Sequence, residues 1–352
     1  MKWRIFGMAF FDLADFDNHE QVVFCSDEAS GLKAIIAIHS TKLGPAVGGC
    51  RLWDYVSDEE ALIDALRLSK GMTYKNAMAG LSMGGGKSVI IGDAKTIKSE
   101  SLFKAFGEAL NGLSGRYLSA EDVNITTADI AVANTVTPYV TGTINKSGDP
   151  GPFTALGTYL GIKAAVKHKL NRDNLTGLSV AVQGLGSVGY GLCEYLHKEG
   201  VKLFVTDINQ VALDKAATEL GATIVGLDEI IDQDVDVYAP CALGASINDD
   251  SINRLKAKII AGCANNQLAE PRHDQALVDN DILYAPDYVI NAGGIINISF
   301  EEDYSKDKAT KKVEEIYHTL LDVFAKAKAQ NKPTGYIADA MAREIIQNGG
   351  KK

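Results

Sequence analysis

The 352-residue chain carries 35 Lys and Arg against 45 Asp and Glu, a formal net charge of −10, with 46% hydrophobic residues. That acidity argues against nucleic acid as a partner, because polyanions are bound by basic surfaces that release counterions. No apolar run approaches the ~20 residues of a membrane span, and the length suits two domains with separate cores.

The first residues, MKWRIFGMAFFDLADFD, hold only a short apolar stretch followed by acids and no small-residue cleavage site, so no secretory signal is expected. Cysteines 25, 50, 193, 241 and 263 are odd in number and never spaced C-x-x-C, which fits reduced thiols and a cytoplasmic location. The histidines are dispersed, with no H-E-x-x-H pair, so no metal site is expected. Residues 21–25 and 34–38 read as strands: short, apolar and bounded by polar or glycine punctuation. A helix is predicted over 59–70, with Ser57 as its N-cap, Glu60 three residues on, and Leu62, Ala65, Leu66 and Ser69 on one face.

The run GMTYKNAMAGLSMGGGKSVIIGD follows, with Lys75 and, behind three glycines, Lys87. GGGKS resembles a phosphate-binding P-loop, which would make the protein a phosphotransferase. That motif needs glycine at position 81, where the chain has Leu81, and a helix after the lysine, where a strand is predicted over 88–91. The alternative is a substrate cleft. Gly84 to Gly86 would let main chain approach a ligand, and Lys87 would project from their edge. A desolvated lysine loses proton affinity and can act as a general base. Lys75, before a turn at Ala79 and Gly80, could face the same cleft as a cation for a carboxylate. Spacing alone also leaves both as ordinary solvated lysines.

The segment INKSGDPGP, 144–152, is the best linker, and a helix over 154–167 comes after it. Strands and helices then alternate, the mark of a parallel sheet. Within them a strand at 179–183 leads to Gly184, Gly186 and Gly189 in G-x-G-x-x-G, a helix to about residue 198 and a second strand ending at Asp207. The glycines serve the tight turn, the approach to a pyrophosphate and the helix–strand contact, while the helix N-terminus supplies donors. Asp207 can accept both ribose hydroxyls and would repel a 2′-phosphate, which favours NAD over NADP. A Rossmann-like domain that binds nothing, or a non-catalytic NAD-binding regulator, remains the alternative. Farther on, Val313, Ile316, Tyr317, Leu320, Leu321 and Phe324 recur at helical spacing over 311–328.

The runs LGPAVGGCRLW, ALRLSKGMTYKNAMAGLSMGGGKSVIIGD, GRYLSAEDVNITTADI, VAVQGLGSVG and YVINAGGIIN resemble those of the glutamate/leucine/phenylalanine/valine dehydrogenase family, most of all its leucine branch. The resemblance covers nearly the whole chain in the family's order. It implies an α/β protein of two domains with a cleft between them. Residues 1–145, rejoined by about 326–352, would form the substrate-binding and oligomerisation domain, and 146–325 the Rossmann-type NAD-binding domain. It also implies NAD-dependent oxidative deamination of an L-amino acid to a 2-oxo acid and ammonia, in a homo-oligomer of two to eight subunits whose cleft closes on the substrate.

Carried over residue by residue, the resemblance makes Lys87 the catalytic lysine, Asp122 the catalytic aspartate and Lys75 the binder of the α-carboxylate. Hydride would leave Cα for the nicotinamide, Lys87 would help water attack the iminium, and Asp122 would exchange protons with the amino group. Gly48 and Gly49, with Gly84 and Gly85, would leave room for substrate. Val47, Met72, Ala120, Ile295 and Ile298 would line its side chain. Asn291 would lie beside substrate and nicotinamide. Thr154 and Cys241 would contact the dinucleotide, as would the loop Gly184, Leu185, Gly186, Ser187, Val188 and Gly189. A glutamate-specific relative carries lysine at the position of Val47, and an apolar residue there disfavours acidic substrates, since an unpaired buried charge is costly. A branched-chain substrate is expected, with an aromatic one, phenylalanine or tryptophan, as the alternative. Two departures bear on that choice: EDVNIT, with Asn124, where leucine enzymes commonly read EDVGT, and the acidic ISFEEDYSKDK after NAGGIIN.

Overall fold

The computed structural model describes residues 10–142, 148–242 and 244–350. The start of the expected linker, 144–147, and the first nine residues lie outside the described residues. The chain forms two units, Met1–Gly148 with Ile346–Lys352, and Asp149–Ile345.

In the first unit, β1 (Gln21–Asp27), β2 (Leu32–Ser40), β3 (Ala46–Trp53), β4 (Gly84–Ile91) and β5 (Tyr117–Glu121) form one sheet in the order β1-β2-β4-β3-β5. β2 runs antiparallel to β1 and β4, whereas β3 is parallel to β4 and β5. Helix α1 (Asp58–Met78) covers one face, setting Leu62, Ala65 and Leu66 against Ile35, Ala37 and Val89. The other face packs on α3 (Glu100–Asn111) and α4 (Thr127–Ala133), which follow the short α2 (Ala94–Ile97); Leu102, Phe106 and Leu110 meet Ile36, Ile38, Leu52 and Ile90. Burial on both faces is why β2 reads as a continuous apolar run.

Ser57 caps α1 as expected, accepting the Glu60 N–H. The helix continues eight residues past the expected end at Lys70, through Gly71. Buried Thr73, Asn76 and Ala77 keep it against the sheet, which outweighs the ~1 kcal/mol helix penalty of one glycine. Lys75 is therefore in the last turn of α1. β4 begins at Gly84, four residues before the strand expected from sequence.

The second unit is a six-stranded, all-parallel sheet in the order β11-β10-β9-β6-β7-β8. Its strands are β6 (Ser179–Gln183), β7 (Lys202–Thr206), β8 (Thr223–Ile224), β9 (Val237–Pro240), β10 (Ile259–Ile260) and β11 (Leu283–Tyr284). Helix α5 (Gly151–Leu170) precedes β6 and starts inside the segment expected to be linker, with Pro152 in its first turn, where a missing N–H costs nothing. Helices α6 (Ser187–Lys198), α7 (Gln210–Leu220), α8 (Asp249–Arg254) and α9 (Arg272–Asp279) make the crossovers. The short α10 (Asp287–Ile290) and α11 (Gly293–Ile298) lead to α12 (Lys306–Gln330) and α13 (Thr334–Gln347).

The return to the first unit is shorter than the expected 326–352. Helix α13 stays with the second unit as far as Ile345, where Thr334 Oγ1 donates to the Tyr284 carbonyl at 2.7 Å, Tyr288 OH to Asp339 at 2.9 Å, and the Tyr336 N–H to Asp274 at 3.1 Å. Only Ile346–Lys352 rejoins the first unit. Among the described residues no helix is long and apolar enough to cross a membrane.

Candidate active site

The three glycines before Lys87 lie in strand, not at a loop edge, and the first two meet main chain. A Cβ on Gly84 would overlap the Ser40 carbonyl, and one on Gly85 the Thr73 backbone. One on Gly86 would sit 2.6 Å from the Tyr117 ring. Gly48 would clash with the Gly86 carbonyl, and a Cβ on Gly49 would lie 2.7 Å from Asp122 Cβ. Neighbouring protein atoms thus fill the room these glycines were expected to leave for substrate. The glycines let α1 and β3 approach β4, where Asn76 Nδ2 donates to the Gly84 carbonyl at 2.6 Å.

That packing places Lys87 in the middle of β4, opposite Ala37 of β2 and only 6% exposed. Alternation along the strands puts Lys87 on the face covered by α1, with Val47 and Arg51 of β3 and Ala120 of β5. Met72 and Lys75, three residues apart on α1, form one half-buried stripe with Leu68 and Asp64. Asp122 follows the last residue of β5. Its Oδ2 pairs with Lys87 Nζ at 2.5 Å and with Arg51 Nε at 3.2 Å. Burial would raise the Asp122 carboxyl, but the Lys87 and Arg51 charges overcome it and hold the group below the ordinary aspartate value. Val47, Gly48, Gly49, Met72, Lys75, Lys87, Ala120 and Asp122 all belong to this unit.

Asn124 has φ +59°, the left-handed conformation that glycine and asparagine tolerate best. Its Nδ2 donates to the Leu52 carbonyl at 3.0 Å. Asn124 thus takes a conformation that a glycine would also adopt readily, and its side chain ties the segment to β3.

The remaining expected residues lie in the second unit. Gly184 has φ +102° at the turn after β6, and a Cβ on Gly189 would strike the Gly184 carbonyl. Among the described residues a Cβ on Gly186 would meet nothing within 4 Å, and Gly186 caps α6 with no side-chain bond to its N–H groups. This leaves open space at a helix N-terminus, next to Leu185, Ser187 and Val188, which suits an anion. Asp207 accepts the Leu185 N–H at 2.5 Å and the Asn209 N–H at 2.7 Å. It buttresses the loop, and a carboxylate retains further acceptor positions. Thr154 is in the first turn of α5, and a Cβ on Gly294 would lie 3.0 Å from its Oγ1. Asn291 is 6% exposed and donates to the Cys263 carbonyl and Asn265 Oδ1 at 3.1 and 2.8 Å, while its own buried Oδ1 has no partner among the described residues. Ile295 and Ile298 share the half-buried side of α11. Cys241 sits just past β9, its N–H on the Gln183 carbonyl at 2.7 Å, and a hydrogen bond from Cys263 holds its thiol below the usual cysteine value.

Sequence reasoning missed the polar cluster behind Asp122. Arg51 reaches Asp64 Oδ2 at 3.0 Å, and Tyr55 OH donates to the same oxygen at 2.6 Å. The available signal was Arg51 two residues beyond Gly49, hence on one side of the strand with Val47.

The family model described as Glu/Leu/Phe/Val dehydrogenase, dimerisation domain, matches residues 19–146, and that of Glutamate/Leucine/Phenylalanine/Valine dehydrogenase matches 205–347. Leucine dehydrogenase of Geobacillus stearothermophilus is 54% identical over 97% of this chain and 94% of its own. Valine dehydrogenase of Streptomyces virginiae is 44% identical over 95% and 96%. The crystal structure of L-tryptophan dehydrogenase from Nostoc punctiforme superposes with a TM-score of 0.84 at 47% identity, covering 95% of this chain and 97% of that one. The chain belongs to the Glu/Leu/Phe/Val dehydrogenase family and is an amino acid dehydrogenase.

Proposed function

We propose that this enzyme oxidatively deaminates a branched-chain L-amino acid, leucine, valine or isoleucine, to its 2-oxo acid and ammonia with NAD. The observation that carries the reading is the close Lys87–Asp122 pair, set in a sheet face beside the buried apolar side chains of Val47 and Ala120.

The second unit fits a dinucleotide. The space at Gly186 and the uncapped start of α6 suit the pyrophosphate, Asp207 suits the adenosine ribose, and the unpartnered Asn291 Oδ1 suits an amide N–H of the nicotinamide. When bound, NAD supplies the hydride acceptor. Thr154 and Cys241 belong to the same assignment. Because Asp207 would repel a 2′-phosphate, NADP+ should serve far less well than NAD+.

In this reading Lys75 binds the substrate α-carboxylate. Asp122, ionised by its two cations, takes the proton released from the amino group. In its neutral form Lys87 takes the proton that water loses as it adds to the substrate carbon, and Asp122 returns its proton to the nitrogen that leaves as ammonia. Val47, in place of a cation, leaves an acidic side chain unpaired and so excludes it. The leucine and valine dehydrogenases among the relatives support the branched-chain choice. The tryptophan enzyme's structural similarity supports an aromatic one, which is the second reading. Initial rates of NAD+ reduction with leucine, valine, isoleucine, phenylalanine and tryptophan decide between them, and faster turnover of an aromatic substrate overturns the first. Self-association through the first unit completes the proposal, supported by edge strand β1, on which Phe24 is 58% exposed. A light-scattering mass of one chain would contradict it.

A further inference from the structure

The carboxylate of Asp122 stands on a segment that has just left the sheet. Its main chain is held locally, by the Ile125 N–H on the Asp122 carbonyl at 2.9 Å and the Leu52 N–H on the Val123 carbonyl at 3.0 Å. Lys87 reaches it as a single point charge on a long stem, which leaves the plane of the carboxylate free to turn. Arg51 differs, because its planar guanidinium spans two carboxylates. Nε donates to Asp122 Oδ2 at 3.2 Å and an Nη to Asp64 Oδ2 at 3.0 Å, with Tyr55 OH donating to Asp64 at 2.6 Å. The contacts tie β3, the β3–α1 connection, α1 and the end of β5 together, and Arg51 and Asp64 keep only 22% and 24% of their side-chain surface exposed. Two acids and two cations alternate, so the cluster of Asp64, Arg51, Asp122 and Lys87 is neutral.

We propose that Arg51, anchored by Asp64 and Tyr55, is a positioning residue that fixes the orientation and charge of the Asp122 carboxylate opposite Lys87. The inference rests on the assignment of Asp122 above. Both cations approach through Oδ2, an arrangement that directs the other oxygen, Oδ1, toward the substrate amino group. Cys50 of β3 and Tyr117 of β5, whose own ionisation the Asp122 charge opposes, are both held protonated by burial and add no charge. With Arg51 gone, Lys87 and the Val123 N–H remain to oppose burial, and Asp122 ionises at higher pH.

The test is the pH profile of kcat and kcat/KM for the amino acid in Arg51→Met and Arg51→Lys, with Asp122→Asn in parallel and NAD+ affinity as a check on folding. Arg51→Met should lose roughly 10- to 100-fold in kcat, the scale of a misplaced catalytic group. KM should change little, and the acidic limb should move to higher pH. Arg51→Lys should restore the limb, because the charge returns, but not the full kcat, because the fork does not. A wild-type kcat and limb in Arg51→Met overturns the proposal. So does an equal loss in both variants with the limb unmoved, since that is the pattern of a merely structural role. If Arg51→Met fails to fold, Asp64→Asn decides: it touches neither Asp122 nor Lys87 and should shift the limb and kcat in the same directions by less, whereas a wild-type profile overturns the inference. An active Asp122→Asn would instead defeat the assignment of Asp122, while an inactive Asp122→Asn beside an unaffected Arg51→Met defeats the present inference alone.

Discussion

Gly86→Ala separates the two explanations of the triple glycine. The added Cβ would lie 2.6 and 2.9 Å from two carbons of the Tyr117 ring and 3.1 Å from the Ala37 carbonyl. Carbon atoms at optimal separation sit ~3.5 to 4.0 Å apart, so the ring must retreat by about 1 Å. Tyr117 is fully buried, and its hydroxyl bonds the Gly48 carbonyl at 2.9 Å and Ser88 Oγ at 3.1 Å. Overpacking of this kind costs about 1 to 3 kcal/mol, and one weakened buried hydrogen bond adds ~1 kcal/mol. The sum, about 2 to 4 kcal/mol, lowers Tm by roughly 5 to 12 °C for a unit of this size. Both tryptophans, Trp3 and Trp53, precede residue 148, so fluorescence-detected melting reports on the first unit. Because Gly86 faces Tyr117 and not Lys87, the amino-acid KM of the folded variant should stay within about two-fold. An unchanged Tm with a raised KM would show that the glycine serves substrate approach after all and refute the packing argument.

Asn124→Ala should cost about 2 to 3 kcal/mol, the strain of a left-handed alanine plus the lost hydrogen bond, while Asn124→Gly should cost at most the ~1 kcal/mol of that hydrogen bond. Neither should change the ranking of leucine against tryptophan in kcat/KM, and a reversed ranking would tie Asn124 to specificity. Asp274, beside the start of α13, has its carboxyl pushed up to about 6 by burial, against the lowering effect of the Tyr336 and Gly335 N–H groups. A native value above the unfolded one means the native state holds the extra proton between roughly pH 4 and pH 6, so this group's contribution falls as pH rises through that window. Asp274→Asn should therefore be the more stable protein above pH 6, by on the order of 2 to 3 kcal/mol, and should lose that part of the pH dependence. Urea unfolding at pH 5 and pH 8 checks it, and identical pH responses of the two proteins would refute it.

The second unit was the more legible. Its glycine motif, flanking strands and terminal Asp207 are local in sequence, and each has a physical job that a short segment performs by itself. The first unit hides its logic in tertiary contacts. Gly84 to Gly86 read as a loop because glycine weakens an isolated strand, and only the closeness of α1, β3 and Tyr117 makes them strand. α1 was cut short at Lys70 for the same reason, since Gly71 looks like a stop until the buried stripe beyond it is seen. Arg51 and Asp64 are thirteen residues apart and meet only because β3 and α1 fold together. The length of the returning segment turned on Thr334, Tyr336 and Asp339, polar residues whose partners lie far back in the chain. The roles proposed for Lys75, Lys87 and Asp122 come from resemblance, since spacing left the two lysines open between a substrate cleft and an ordinary solvated surface.

The proposed mechanism gives Lys87, paired with Asp122, the proton chemistry of amino acid oxidation. Its most direct measurement is leucine-dependent NADH formation by Lys87→Ala under saturating substrates, alongside a fluorescence titration with NAD+. The account predicts NAD+ affinity like that of the wild type and turnover reduced by at least ~10²-fold, the low end for a lost proton-transfer group. Turnover equal to the wild type would contradict it.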